Sequence, residues 1–289
     1  MLKNYIFTIT NGRSGQETLY RILQKYAINC FSDFEAPNIK TLMPSPLNVI
    51  ERKIRRKFIE TDELLGRGKV IQAYENKDFK FIENIARKRL VFIEEQMHKL
   101  KADSYFDISK FYVRGLFEGF NRLVKAYSLV FLVRDPLQNM KSFYNRNKNF
   151  YLDNSVPSAK TNILQLNHEC LSKEELYLWA WSEVFLRFKR LSKSNRVLKS
   201  IVFKTEDLKS PKRVETLFKS LNIKYNAIKD VKIINTNQEI GLRKTKVLEE
   251  DLEKLVKFIK KLPKDKIELK KHLKSSLQKN NLILKKFNI

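Results

Sequence analysis

Residues 5–18 read Tyr-Ile-Phe-Thr-Ile-Thr-Asn-Gly-Arg-Ser-Gly-Gln-Glu-Thr. Tyr5 to Thr10 is an apolar, β-branched and aromatic run, the pattern of a buried strand. Asn11 and Gly12 break it, and Leu19, Ile22, Leu23 and Tyr26 then recur at helical spacing. Strand, tight turn and helix in that order predict an anion site. Backbone N–H groups of the turn and the positive end of the helix dipole converge where a phosphate can sit. Arg13 adds a guanidinium whose fork geometry suits phosphate or sulfate oxygens. The G-x-x-x-x-G-K-[ST] spacing is absent, so this is not a Walker A loop.

Outward from that unit, strand-like runs alternate with helical patterns, which predicts an α/β fold: three layers, with a central parallel sheet of about five strands. Ala27–Phe31 reads as a short second strand, Tyr105–Phe111 as a third, Ser128–Val133 as a fourth and Ser200–Lys204 as a fifth. Helices are predicted over 80–101, over the aromatic-rich 171–191, and over 211–221. Residues 38–76, basic and containing Pro44 and Pro46, read as an irregular insertion over one end of the sheet. From Val247 the chain is helical and lysine-rich, with Leu248, Leu252, Leu255, Val256 and Ile259 as an apolar stripe and Pro263 as a break. The expected organisation is an α/β domain over 1–246 and a helical extension over 247–289 packed on it.

The chain of 289 residues can bury a sizeable core. Its formal net charge of +26 has two readings: a surface that attracts an anionic substrate or polymer, or lysines scattered over solvated faces. Basic clusters at 52–57, 87–89, 260–261 and 270–271 are short, and no long basic tail occurs. The scarcity of glycine and the lack of a nucleic-acid motif count against a nucleic-acid partner. Cys30 and Cys170 make neither a disulfide framework nor a CxxC pair, and His98, His168 and His272 are too dispersed for a zinc site. With the first strand expected to begin within a few residues of Met1, no signal peptide is expected, and no run approaches the roughly 20 apolar residues of a membrane span. The expected location is the cytoplasm.

A second constellation runs Val130-Phe-Leu-Val-Arg-Asp-Pro-Leu-Gln-Asn-Met-Lys-Ser-Phe-Tyr144. A buried strand delivers Arg134 at its C-terminal end, where ligands bind in open α/β sheets. Pro136 suits the first turn of the helix that follows, with Asp135 as its N-cap. Ser142, eight residues after Arg134, lies two turns along, so guanidinium and hydroxyl can close on one anion from two sides.

Together the two segments resemble the cytosolic and Golgi sulfotransferase superfamily, whose members use 3′-phosphoadenosine 5′-phosphosulfate (PAPS) on a fold related to P-loop kinases. Gly12-Arg13-Ser14-Gly15 and the helix after it look like the family's 5′-phosphosulfate loop. Arg134-Asp135-Pro136 with Ser142 looks like its 3′-phosphate motif, at the same Arg-to-Ser spacing. Val202-Phe203-Lys204-Thr205-Glu206-Asp207-Leu208, then Pro211 and a helix, is similar to the "EDL…P…L…FL" stretch of many members. The matches cover residues 5–30, 105–150 and 200–223. The resemblance implies a donor site built from Gly12, Arg13, Ser14, Gly15, Gln16, Glu17, Thr18, Arg134 and Ser142, with no metal. The glycine-rich loop that many members fold over the adenine is not evident here, and Arg243 and Lys244, after Gly241, are its weak substitutes. Glu17 is a departure, since it puts a carboxylate in the first helical turn beside the expected sulfate.

Sulfuryl transfer needs a base for the acceptor proton and cations for the leaving phosphate, much as phosphoryl transfer does. Arg13 is the expected stabiliser of the leaving group. Glu35, in Asp33-Phe34-Glu35-Ala36-Pro37, matches the place of a catalytic glutamate in some members and can act as general base if burial raises its pKa. Asp107 is the runner-up, and Lys110 is positioned to sit between donor and acceptor charges. Trp179, Trp181 and Phe185 read either as core or as a substrate platform. The acceptor is expected to be a hydroxyl or amine of a carbohydrate, lipid or small molecule. The alternatives are a catalytically silent anion- or nucleic-acid-binding scaffold and a nucleotide-dependent kinase. The kinase would need a lysine that residues 11–18 lack.

Overall fold

The computed structural model describes residues 3–34, 44, 47–54, 67–144, 156–234 and 246–287. The strands are β1 (Asn4–Ile9), β2 (Ala27–Ile28), β3 (Cys30–Asp33), β4 (Ser104–Asp107), β5 (Tyr127–Val133), β6 (Val197–Lys204) and β7 (Lys224–Tyr225). The helices are α1 (Gln16–Tyr26), α2 (Leu47–Ile54), α3 (Arg67–Glu75), α4 (Phe79–Lys99), α5 (Leu116–Leu123), α6 (Pro136–Tyr144), α7 (Lys173–Leu191), α8 (Pro211–Ser220), α9 (Glu249–Lys261) and α10 (Ile267–Phe287).

Five strands form one parallel sheet in the order β3-β4-β1-β5-β6. Side chains alternate across it as the strand period requires. Phe7, Ile9, Tyr105, Tyr127, Leu129, Phe131 and Val133 face a core shared with α3, α4, α5, α7, α9 and α10. Ile6, Phe106, Val130, Leu132 and Phe203 face a second core closed by α1 and α8. With apolar helices on both faces, β1 and β5 are nearly continuous hydrophobic runs, as parallel strands buried on both sides are. This is the three-layer α/β architecture. Among the described residues no helix is long and apolar enough to cross a membrane.

The strand expected over Ala27–Phe31 is two strands. Asn29 adopts φ +52°, a left-handed kink, and its carbonyl accepts from Asp103 N and Ser104 N at 3.0 and 3.3 Å. Ala27–Ile28 is thereby turned onto Lys224–Tyr225 in an antiparallel pair, while Cys30–Asp33 continues as the sheet edge. β4 stops at Asp107 rather than at Phe111, because the Asp107 carboxylate accepts from Ser109 N and Ser109 Oγ (3.0 and 3.1 Å) and turns the chain. The segment 38–76 is not wholly irregular: it contains α2 and α3, and Val70, Ala73 and Tyr74, at helical spacing, enter the core.

Pro263 separates α9 from α10. Leu252 and Leu255 of the expected stripe are buried and Ile259 packs partly against the same core; Phe258 joins them, while Leu248 is exposed. Leu269 and Leu273 of α10 join Leu252, Leu255 and Phe258 in the core beneath the sheet, so these helices cover one of its faces.

Candidate functional site

The connection leaving β1 runs to β3 on one side, and the connection leaving β5 runs to β6 on the other. Adjacent strands whose connections diverge open a crevice at their C-terminal ends, the usual ligand position in such sheets. Residues 10–15 follow β1 into this crevice and Arg134 follows β5. The turn is held in left-handed geometry at Gly12 (φ +89°), Arg13 (φ +58°) and Gly15 (φ +87°). Successive amides in such a turn point inward and form a concavity for an anion. An arginine at positive φ is a strained residue retained by its surroundings.

Those surroundings are polar and buried. Asn139, one turn into α6, donates from Nδ2 to Gly12 O (2.8 Å) and Ser14 Oγ (3.4 Å), and accepts at Oδ1 from Asn11 Nδ2 (3.0 Å). Ser14 Oγ also donates to Gly12 O at 3.2 Å. Thr205 Oγ1 lies 2.9 Å from Ser14 O and 3.2 Å from Val133 O, which ties the turn to the ends of β5 and β6. Gly15 is needed for closeness as well as for φ: a Cβ there would meet Leu208 Cδ1 at 2.5 Å. Gly15 is the N-cap of α1, and no side chain caps that helix. The positive end of its dipole therefore faces the crevice.

The expected donor residues are gathered in part. Arg134 Nη1 donates to Arg13 O at 3.3 Å, so the second constellation rests directly on the first. Trp181 Nε1 donates to Arg134 O at 2.9 Å and holds that corner from the other side. Burial lowers the Arg134 pKa, and nearby Glu206 and Asp135 oppose this. A guanidinium remains charged under such a shift. The Lys110 stem, Phe143 and the Gln16 side chain surround Gly12, each 3.5–3.7 Å from where its Cβ would be. Ser142 is buried beside Phe143. Asp135 caps α6, accepting from Leu137 N and Gln138 N, both at 3.1 Å.

Two expected donors have other work. Gln16 Nε2 donates to Ile108 O at 2.7 Å, and Thr18 Oγ1 accepts from Ile234 N at 3.1 Å, which leaves backbone amides for an anion. Glu17 pairs with Arg21 at 3.1 Å on the outer face of α1, where the side chains are 23% and 64% exposed. Its carboxylate is thus drawn along the helix by the residue one turn on.

Asp107, the runner-up for the base, sits in a buried cluster with Arg89, Asp33 and Tyr105. Arg89 Nη2 donates to Asp107 Oδ1 (2.8 Å), Asp33 Oδ1 (3.2 Å) and Tyr105 Oη (3.1 Å), and Tyr105 Oη donates to Asp33 Oδ2 (3.1 Å). Burial pushes the Asp107 carboxyl up to about 7; Arg89 pulls it down and Asp33 adds to the rise. With both oxygens engaged, Asp107 fixes the turn that leads to Lys110. Glu35, Arg243 and Lys244 lie outside the described residues. Trp179, Trp181 and Phe185 are buried, and both indole N–H groups are bonded to carbonyls, so these rings are core. Among the described residues no group of three or more His, Cys, Asp and Glu side chains is arranged to hold a metal ion.

Asn139 escaped the sequence reading. Its signal was a polar residue among Leu137, Met140 and Phe143 on the inward face of α6. Compared with protein-family models, curated proteins and solved structures, the chain has no match. What the arrangement can do chemically follows from its donors. A strained amide-rich turn, an uncapped helix N-terminus and the cations Arg13, Arg134 and Lys110 suit a ligand with more than one phosphate-like group.

Proposed function

We propose that the chain is a PAPS-dependent sulfotransferase, acting on a hydroxyl or amine of a carbohydrate, lipid or small-molecule acceptor. The observation that supports this reading is the contact of Arg134 with the Arg13 carbonyl, which joins two anion-binding motifs across the β1–β5 crevice. Amides of residues 13–18 and the Arg13 side chain would receive the 5′-phosphosulfate, and Arg134 with Ser142 the 3′-phosphate. PAPS supplies the sulfuryl group and a phosphate leaving group.

The protein's part is charge and position. Arg13 and the dipole of α1 stabilise negative charge on the leaving oxygen. Lys110, whose stem lies against Gly12 and whose ammonium sits 5.4 Å from the Phe111 ring centroid, would serve as a further cation beside the loop. Glu35, two residues beyond the β3 end, is the proposed acceptor of the proton. The loop's lack of a lysine over residues 11–18 favours sulfuryl over ATP-dependent phosphoryl transfer.

Thermal shift with adenosine 3′,5′-bisphosphate, ATP and AMP tests the reading. At about 100 times its Kd, a ligand adds about 2.7 kcal/mol of stability, which for a chain of this size is roughly 4–5 °C in Tm. The bisphosphate is expected to give the largest rise. Equal rises for all three nucleotides, or a rise with ATP alone, would overturn it. Bisphosphate binding without sulfuryl transfer to any acceptor class would move the chain to the silent-scaffold alternative.

A further inference from the structure

The Arg134–Asp135 corner is gripped from behind by the last helix. Ser276 Oγ donates to Asp135 Oδ2 at 2.6 Å, and Asn280 Nδ2 lies 3.2 Å from both carboxylate oxygens. The same carboxylate accepts from Leu137 N and Gln138 N of α6. One turn earlier on α10, His272 stacks on Trp181 (centroids 5.4 Å apart, planes at 25°), and Trp181 in turn bonds the Arg134 carbonyl. The side chain of Asp135 and the backbone of Arg134 are therefore both held by contacts that begin on α10.

The identity of these α10 residues needs an explanation that packing does not supply. Leu269 and Leu273 are fully buried, and Ser276 and Asn280 continue the same face at 6% and 3% exposure. An apolar side chain at either position would extend the stripe but take a partner from the Asp135 carboxylate. A hydroxyl and an amide buried there make sense as partners for one carboxylate.

We propose that α10 is a positioning helix for the anion site, and that Ser276 and Asn280, acting through Asp135, set the Arg134 guanidinium for a ligand's 3′-phosphate. This inference rests on the donor-site reading given above. It predicts an effect confined to one end of the nucleotide. Loosening Asp135 frees the residue next to Arg134, while the loop at 12–15 keeps its own bonds to Asn139 and Thr205.

The test uses the full chain carrying Ser276→Ala and Asn280→Ala, with Kd measured calorimetrically for adenosine 3′,5′-bisphosphate and adenosine 5′-monophosphate. The ratio of the two constants reports the 3′-phosphate contact alone, which a general loss of stability would not move selectively. The monophosphate Kd divided by the bisphosphate Kd is expected to fall by roughly tenfold or more, with the monophosphate constant within about threefold of wild type. Ser276→Thr, which keeps the hydroxyl, should retain the ratio. If the double variant fails to fold cooperatively, Ser276→Ala alone carries the test, with a fall of about threefold or more. An unchanged ratio in a folded variant, or parallel weakening of both nucleotides, overturns the inference alone. A wild-type chain that binds both nucleotides alike overturns the donor-site reading and this inference with it.

Discussion

Arg134 Nη1 donates to the backbone carbonyl of Arg13 at 3.3 Å, so the charge that follows β5 is anchored on the turn that follows β1. The two arginines come from strands that are neighbours in the sheet and 121 residues apart in the chain. Replacing Arg134 with alanine removes charge-assisted hydrogen bonds worth about 1.5–3 kcal/mol, or roughly ten- to a hundredfold in affinity. We expect that loss for adenosine 3′,5′-bisphosphate, with 5′-AMP changed by less than about threefold. Arg134→Lys keeps the charge without the fork and should fall between. Equal losses for both nucleotides would mean that Arg134 serves the fold of the turn rather than a 3′-phosphate.

Asn139 is the hub of the turn, bonded to Asn11 Nδ2, Gly12 O and Ser14 Oγ. In Asn139→Ala, buried donors and acceptors of the turn lose their partner, at about 1–3 kcal/mol. The expected result is a lower urea midpoint at unchanged m-value, together with weaker bisphosphate binding. A loss below about 0.5 kcal/mol would show that the turn keeps its shape without this side chain.

Much of this was legible in the residues and some was not. The order strand, turn, helix over 5–26 and the buried run into Arg134 gave the parallel sheet and both ends of the crevice, because each pattern is local and periodic. The break at Asn29 and the stop at Asp107 depend on single side chains bending the backbone, and no periodicity records that. Asn139 and the grip of Ser276 and Asn280 on Asp135 are long-range polar pairings. A buried polar residue on an apolar helix face signals only that a partner exists, not where it lies in the chain.

Gly15 illustrates a constraint that belongs to the turn rather than to the ligand. Alanine there adopts φ near +87° and brings its Cβ to 2.5 Å from Leu208 Cδ1. The left-handed conformation costs about 1–2 kcal/mol and the overlap about 1–3 more. Shortening the neighbour in Gly15→Ala/Leu208→Val should recover part of the overlap, so the double variant is expected to lose less than the two singles summed. Strict additivity of unfolding free energies would place the strain in φ alone.

Glu17 looks, from sequence, like a carboxylate aimed at the anion, and its 3.1 Å pair with Arg21 argues otherwise. Glu17→Gln removes an exposed helix pair worth about 0.3–0.5 kcal/mol and a favourable dipole contact of about 0.3–1 kcal/mol. We expect a small stability loss and a bisphosphate Kd within about threefold of wild type at moderate salt. A gain in affinity of about tenfold or more would show that the carboxylate faces the ligand after all.

Arg89 is fully buried and its Nη2 serves Asp33, Asp107 and Tyr105 together, so one guanidinium balances two carboxylates. Burial raises the Asp107 pKa to about 7, while Arg89 pulls against that rise. In Arg89→Met that restraint is gone, and the folded-state value climbs further above the unfolded value near 3.9, an approximate reference for Asp. A carboxyl raised by folding contributes stability that is fully present below its unfolded pKa and lost as pH rises through its folded pKa. The deficit of the variant relative to wild type, about 3–5 kcal/mol for a broken buried pair, should therefore be level below about pH 7, where Asp107 is protonated in both folded proteins, and grow between roughly pH 7 and pH 9, where only the variant keeps losing stability. Urea unfolding of both proteins across that range measures the difference directly. A deficit that is flat with pH, or that grows in acid, would mean that Arg89 matters for the space it fills between α4 and the sheet and not for the carboxylates it binds.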